Sequence, residues 1–513
     1  MGAVPTRAQA VLLGLDIGTT GAKALLVTDA GEVLGSASKE YPLDTPRPGW
    51  AEQNPGHWWE AAIASIRAVL DRTGVPGSTV TAIGLTGQMH GLVALDVGGE
   101  VLRPAILWND QRTEAECQWI TERIGPARIM DLLSNPVLTG FTAPKIVWLR
   151  RHEPDAYRRV EHLLLPKDYV RYRLTGEFAT DVADASGTAL FDVRGRAWSQ
   201  TVLDALEIPR RWLPRVEESP VITGEVSREG AAATGLRLGT SVVAGAGDQA
   251  AQAVGSGIVR PGVASVTIGT SGVVFAHLNA VQVDPQGRTH TFCHAVPGCW
   301  HIMGVMLSAG GSLRWLRDQV AHRSWFDGRD DPYDRMATQA AGVAPGAEGL
   351  LFLPYLTGER TPHADPRARG AFVGLTLRHG PAHLTRAVME GVAMGLRDSV
   401  EIFRALGVPV QQVRFSGGGA RSAVWRQIVA DVLGAELGAA VPAEGAAYGA
   451  ALLAAVGCGA AGSVEEACER AVTVRDHVAP VAEHADRYER LYQIYRGLYG
   501  VMRPTMHALA DLT

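Results

Sequence analysis

The alternation of apolar runs with glycine-rich turns organises this chain. An apolar run over 11–15 enters Asp16-Ile17-Gly18-Thr19-Thr20-Gly21 and a second apolar run leaves it, the pattern of two strands joined by a tight turn. Residues 264–277, ASVTIGTSGVVFAH, repeat it, and the shared core places Gly18 and Gly269 251 positions apart, about half the chain. Glycine lets a backbone approach a ligand closely, and adjacent N–H groups with Thr or Ser hydroxyls form a hollow rich in donors for phosphate. Either hairpin alone is as well explained as a plain tight turn. The matched pair at half-chain spacing favours two hairpins gripping one polyphosphate between two domains. A third element, VRFSGGGA at 413–420, runs a strand into glycines and on, from Ser422, to a helix-period segment through Val432. Strand, glycines and helix N-terminus in that order suit a nucleotide, because unpaired N–H groups and the positive end of the helix dipole face it. No GxxxxGK[ST] occurs, and no GxGxxG opens a helix with an acid about twenty residues on, so P-loop and Rossmann readings lack support.

Polar side chains also collect where apolar strands end. Gly87-Gln88-Met89-His90-Gly91 closes a strand over 82–86, and Trp108-Asn109-Asp110-Gln111-Arg112 closes one over 104–107. Ligands of open α/β sheets sit at such ends, and amide, imidazole and carboxylate groups suit a polyhydroxylated substrate. His90 itself reads as either a structural histidine or a sugar contact. The run 242–246 leads to Gly247-Asp248-Gln249, where Asp248 is either the N-cap of a helix over 249–254 or a general base. His290, Cys293, His294, Cys299 and His301 crowd together, but their spacing fits no usual two-plus-two zinc layout. Their alternation predicts two strands around a Pro297-Gly298 turn.

Composition narrows the class. At 513 residues, with 46% hydrophobic and 20% charged residues and a net charge of -5, the chain has material for two or three cores. It offers no basic excess for nucleic acid or an anionic membrane. Five cysteines without a CxxC pair, and no apolar leader, point to the cytoplasm. The uncharged stretch 445–464 is interrupted by five glycines and is mostly Ala, which predicts a buried helix over 446–456 rather than a membrane span. Lysine is rare: Lys23, Lys39, Lys145 and Lys167 stand against 44 arginines, so each retained ammonium is a candidate for a specific role.

Ten ordered motifs then carry a resemblance: DIGTTGAK at 16–23, WAEQNP at 50–55, GQMHG at 87–91, RPAILWNDQR at 103–112, GFTAPKIVWL at 140–149, LLLPKDYVRYRLTGEF at 163–178, GAGDQAA at 245–251, IGTSG at 268–272, LPYLTGERTPH at 353–363 and SGGGARSAVWRQ at 416–427. Along almost its whole length the chain resembles the FGGY family of carbohydrate kinases. The resemblance implies an α/β, actin-like ATPase architecture of two RNase H-like domains with the active site in the cleft between them. Residues 1–257 would form the first domain, with the sugar site, the first phosphate hairpin and the catalytic Asp. Residues 258–513 would form the second, with the other hairpin and the adenosine site, and the last helix is the element expected to pack back on the first domain. By matching position, Asp248 corresponds to the catalytic base, and Asp16 to the carboxylate that organises Mg²⁺ through water. Gly18, Thr19, Thr20, Gly269 and Thr270 would face the phosphates, and Lys23 stands where some relatives carry a nucleotide-contacting Arg. Gly310, Gly418 and Ser422 would lie along the adenosine, Ser422 replacing a frequent Asn. Met89, His90, Asn109, Asp110, Asp248 and Gln249 would meet the sugar. The implied activity is phosphorylation of D-xylulose by ATP. Another ketose or polyol, such as ribulose or a glycerol-like substrate, is the alternative, and a non-kinase actin-like ATPase is the rival class. The expected partners are sugar and ATP, with no nucleic acid or membrane, and homodimer formation is left open.

Overall fold

The computed structural model describes residues 10–321, 325 and 331–512. The paired apolar runs become two sheets on one plan. In the first, β1 (Val11–Ile17), β2 (Gly21–Thr28) and β3 (Val33–Glu40) form an antiparallel meander, and β4 (Val80–Gly87) lies parallel to β1. β5 (Ile222–Glu225) and β6 (Ser241–Val243) extend it to the order β5-β6-β4-β1-β2-β3, and Ala246–Gly247 continues beside β4. The second sheet is built from β7 (Gly262–Ile268), β8 (Gly272–Leu278), β9 (His290–Cys293), β10 (Trp300–Met306), β11 (Val410–Ser416), β12 (Glu436–Val441) and β13 (Thr473–Val478). Its order is β9-β10-β8-β7-β11-β12-β13. In each sheet the first hairpin strand pairs antiparallel with its partner and parallel with a strand that arrives after a helical crossover, β4 or β11. β9 and β10 pair antiparallel across the Pro297-Gly298 turn.

Helices cover both faces of the first sheet. α1 (Pro55–Thr73) starts where the Asn54 side chain accepts the Gly56 N–H at 2.9 Å, with Pro55 at its first position, and stops at Gly74 in the left-handed region. Its Trp58, Ala62 and Ile66 join Tyr169 and Val170 of α2 (Pro166–Thr175) in one core against the sheet. α3 (Asp248–Gly255) lies on the opposite face. In the second half, α4 (Pro381–Ala405) and α5 (Ala423–Leu433) bury Val392, Phe403, Trp425 and Val429 against β7, β8 and β11.

The chain then crosses back. α6 (Ala446–Gly457) packs beside α3 on the first sheet, so closely that a Cβ on Gly14 would lie 1.9 Å from the Ala447 carbonyl oxygen. One on Gly449 would lie 1.8 Å from that of Ala251. Only a missing side chain on both surfaces permits this approach. The crossing expected of the last helix is therefore made by α6. The last helix, α7 (Ala485–Ala510), buries Tyr488, Tyr492, Tyr495 and Met506 in the core of the second half instead. No helix among the described residues is long and apolar enough to cross a membrane.

Candidate active site

The carboxyl-terminal ends of β1 and β4, together with the Ala246–Gly247 stretch, converge. Ile17 and Gly247 both pair with Gly87, which brings Asp16, the Gln88-Met89-His90 turn and Asp248 to one edge of the sheet. Asp16 pairs across the hairpin with Lys23. Its Oδ1 is buried without a hydrogen-bond partner. Burial first, and then the nearby Asp248, push the Asp16 pKa up from 3.8 to about 7, against the pull of Lys23. Asp248 opens α3 but does not cap it: Gly247 holds the cap position, without a side-chain bond. The Asp248 carboxylate accepts the Gln249 side-chain amide at 3.3 Å, and burial raises its pKa to about 6. Of the two readings open for Asp248, the geometry excludes the N-cap. Two interacting carboxylates with an orphaned oxygen are also the donor chemistry that suits a hard divalent cation.

His90 has a positive φ of 70°. Its Nδ1 lies 2.6 Å from the Gly187 carbonyl oxygen, so that nitrogen carries the proton and Nε2 is left as an acceptor. The ring stacks on Phe141 at 4.8 Å between centroids. Burial, followed by the Lys145 ammonium, lowers its pKa to about 3, so the imidazole is neutral at physiological pH. Lys145 explains itself here: its Nζ donates to the His90 carbonyl at 2.9 Å and to that of Gly140 at 2.7 Å, fixing the strained turn. A Cβ on Gly247 would fall 2.8 Å from Met89 Cγ, so the Met89 side chain packs against the backbone that precedes Asp248.

Asp110 is placed differently from the expectation of a sugar contact. Fully buried, it accepts Ala51 N–H at 2.7 Å and binds Arg112 through both oxygens, and the Arg112 guanidinium in turn lies 3.6 Å over Trp50. Its acceptor positions are spent inside the protein. The neighbouring Asn109 Oδ1 is buried without a partner and keeps its capacity for a ligand.

The first hairpin turn is braced from the same edge. Trp108 Nε1 donates to Thr19 Oγ1 at 3.0 Å, while the amides of Gln53 and Gln88 hold the carbonyls of Thr19 and Gly18 at 2.7 and 3.3 Å. Thr20 is exposed. Lys23 is bound by Glu444 at 2.5 Å, a residue supplied by the loop before α6. The second hairpin turn meets another loop: Gly269 and Thr270 carbonyls accept the N–H groups of Gly310 and Gly311 at 2.9 and 3.0 Å. A Cβ on Gly310 would sit 2.4 Å from the Gly269 oxygen. Gly269, Thr270, Gly310, Gly418 and Ser422 line one cavity of about 480 Å³, with Leu313, Met389 and Trp425 as its apolar wall. Ser422 Oγ caps α5 by accepting Trp425 N–H at 3.2 Å, which leaves its hydroxyl proton for a ligand.

Sequence reasoning missed how the second half reaches the strand ends of the first. Phe292 of β9 lies 6.2 Å from the His90 ring, and Val305 of β10 packs on the cluster that holds Met89 and Phe141.

This arrangement matches known proteins over its full extent. The N-terminal domain of the FGGY family of carbohydrate kinases matches residues 11–255, and the C-terminal domain of that family matches residues 264–458. The chain belongs to the FGGY family. Among relatives of this FGGY kinase, the xylulose kinase of Escherichia coli K12 is 40% identical over 495 residues, covering 96% of this chain and 99% of the relative. The xylulose kinase of Lactococcus lactis is 38% identical, with 98% of each chain covered. The crystal structure of a kinase from Brucella ovis, described as a xylulose-type enzyme, superposes with a TM-score of 0.90 at 38% identity, over 97% of this chain and all of that one. The fold is thus the two-domain FGGY kinase fold, and the enzyme is a sugar kinase with ATP as co-substrate.

Proposed function

We propose that this FGGY kinase transfers the γ-phosphoryl group of ATP to the C5 hydroxyl of D-xylulose, with Asp248 as general base. The observation that carries the reading is the placement of Asp248. It is a carboxyl that caps nothing, with a pKa raised to about 6, at the strand ends that also carry Asp16 and the Met89-His90 turn. Full-length likeness to xylulose kinases supports the choice of sugar.

The chain's own groups divide the work. His90 Nε2 accepts a sugar hydroxyl proton, Asn109 Oδ1 accepts another, and Gln249 orients the Asp248 carboxylate. Asp110 positions the loop through Arg112 and Ala51 rather than touching sugar. Asp248 takes the proton of the attacking hydroxyl as the oxygen–phosphorus bond forms in line with the departing ADP oxygen. Thr19 and Thr270, on separate hairpins, offer donors to the phosphates, and the cavity from Gly310 to Ser422 receives the nucleoside. Mg²⁺, which Asp16 would hold, supplies charge neutralisation for the triphosphate when bound. With no group of three or more candidate ligand residues among those described, most of its ligands would be phosphate and water. Because the grips lie on two sheets, approach of the lobes completes the site and excludes water.

The test is an ADP-release assay with ATP and a panel of pentuloses, hexuloses and polyols. D-xylulose should give the highest kcat/KM. A rate independent of every sugar would favour the non-kinase ATPase, and a preference for another sugar would reassign the substrate.

A further inference from the structure

The motif LPYLTGERTPH contributes nothing to the site above, yet it places a cation beside it. Arg360 is half-buried, and its guanidinium has no hydrogen bond or ion pair among the described residues. The adjacent Glu359 attracts it but makes no ion pair with the guanidinium: Glu359 Oε1 accepts Leu307 N–H at 2.9 Å and Arg360 N–H at 2.8 Å, and burial raises its pKa to about 8. The backbone around Arg360 is rigidly held. Thr361 N–H donates to the Val305 carbonyl at 2.9 Å, and Thr361 Oγ1 accepts Val305 N–H at 3.0 Å. Val305 in turn packs on the Met89–Phe141 cluster, so Arg360 stands on the wall that the second lobe presents to the His90 turn. Its charge acts on His90 and His290, lowering the pKa of both. Five fixed donors without an acceptor among the described residues, in a half-buried setting, are provided for ligand oxygens.

We propose that Arg360 is the second lobe's contact to the sugar, donating to the C1 hydroxyl and C2 carbonyl at the end away from the phosphorylated hydroxyl. This rests on the reading of Met89 and His90 as the sugar site. Because Arg360 is held to the second sheet through Thr361 and Val305, its bond joins the two lobes across the sugar, which ties substrate recognition to their packing.

Steady-state kinetics on the full chain test it, using Arg360→Ala, Arg360→Lys and His90→Ala with D-xylulose and 1-deoxy-D-xylulose. Arg360→Ala should lower kcat/KM for D-xylulose about 10- to 100-fold, the scale of losing charge-assisted hydrogen bonds, with the ATP KM within about twofold of the parent. The loss should be several-fold smaller on the 1-deoxy sugar, which lacks one partner, and Arg360→Lys should recover part of it. Equal losses on both sugars, or an ATP KM rising in step, overturn the assignment. If Arg360→Ala fails to fold, the ratio between the two sugars in Arg360→Lys decides in the same way. Normal sugar kinetics in Arg360→Ala beside a defective His90→Ala overturn Arg360 alone. A selective Arg360→Ala defect beside a normal His90→Ala keeps Arg360 and overturns the placement of His90.

Discussion

Replacing Asp248 with Asn separates catalysis from stability, and the structure sets both magnitudes. Asn keeps the size of the side chain and its contact with Gln249 but cannot take a proton, so kcat should fall about 10²- to 10⁴-fold, the range for loss of a general base. Binding of ATP should persist, because the nucleoside cavity is built from the other sheet. Stability should move the opposite way. Burial raises the Asp248 pKa from 3.8 to about 6, so above pH 6 the folded protein carries a carboxylate that the unfolded chain would ionise more readily. That displacement corresponds to about 3 kcal/mol at neutral pH, and the partial solvent access of the side chain reduces the expected gain on Asp248→Asn to about 1–2 kcal/mol. The gain is fully present above pH 6 and shrinks as the pH falls through the window from about 6 to 3.8, below which the wild-type group is protonated in both states. The parent should also lose kcat/KM as pH falls through about 6, since the base must be ionised, and in the variant the part of this acidic limb that Asp248 carries should vanish, leaving only that of Asp16. Xylulose-dependent ADP release and denaturant melts, each from pH 5 to 8, supply the measurements. Turnover within tenfold of the parent, or a variant less stable than the parent at pH 7.5, would refute the reasoning.

Three further outcomes are expected. Asp16→Ala should raise the Mg²⁺ concentration needed for half-maximal rate and lower kcat; unchanged Mg²⁺ titrations would remove Asp16 from the phosphate end. His90→Ala should raise the D-xylulose KM or cut kcat/KM by about 1–3 kcal/mol of transition-state binding while leaving the ATP KM steady, whereas a structural role would lower Tm and impair both substrates together. Lys167→Met should cost about 3–5 kcal/mol in chemical denaturation, because the fully buried Nζ lies 2.7, 2.7 and 3.1 Å from Asp168, Asp181 and Asp184, and its loss leaves those carboxylates against Arg171 alone.

The parts legible in the sequence were those whose chemistry is local. A Gly-Thr turn between apolar runs specifies a hairpin without outside help, and both hairpins and the strand-to-helix turn around 413–422 occur where the spacing placed them. A strand end likewise announces itself, as Gln88-Met89-His90 did. What remained hidden depends on partners distant in the chain. Arg112 lies only two residues beyond Asp110, but Ala51 comes from 59 positions away and completes the shell that consumes its oxygens, so Asp110 passed for a sugar contact. Lys145 was marked only by the scarcity of lysine, and its bond to the His90 carbonyl joins residues 55 positions apart. Arg360 sat in a conspicuous motif, but its relation to His90 exists only once β10 has packed on the first lobe. The destination of α6 was similarly invisible: a run of Ala and Gly shows that a helix packs tightly, not against which sheet.

That crossing bears on how the protein is made. Leu12, Leu25, Ala82 and Val243 face the same layer as Ala447, Ala451 and Leu452, so this face of the first sheet is covered by residues synthesised about 200 to 440 positions later. Until the ribosome has released α6, the early sheet holds an open apolar surface and a groove, over Gly14 and Gly84, shaped for one particular helix. Contacts of such long range slow folding and leave sticky intermediates exposed. The halves of the duplicated fold therefore do not mature in the order in which they are translated: the first sheet waits, and the second half completes both.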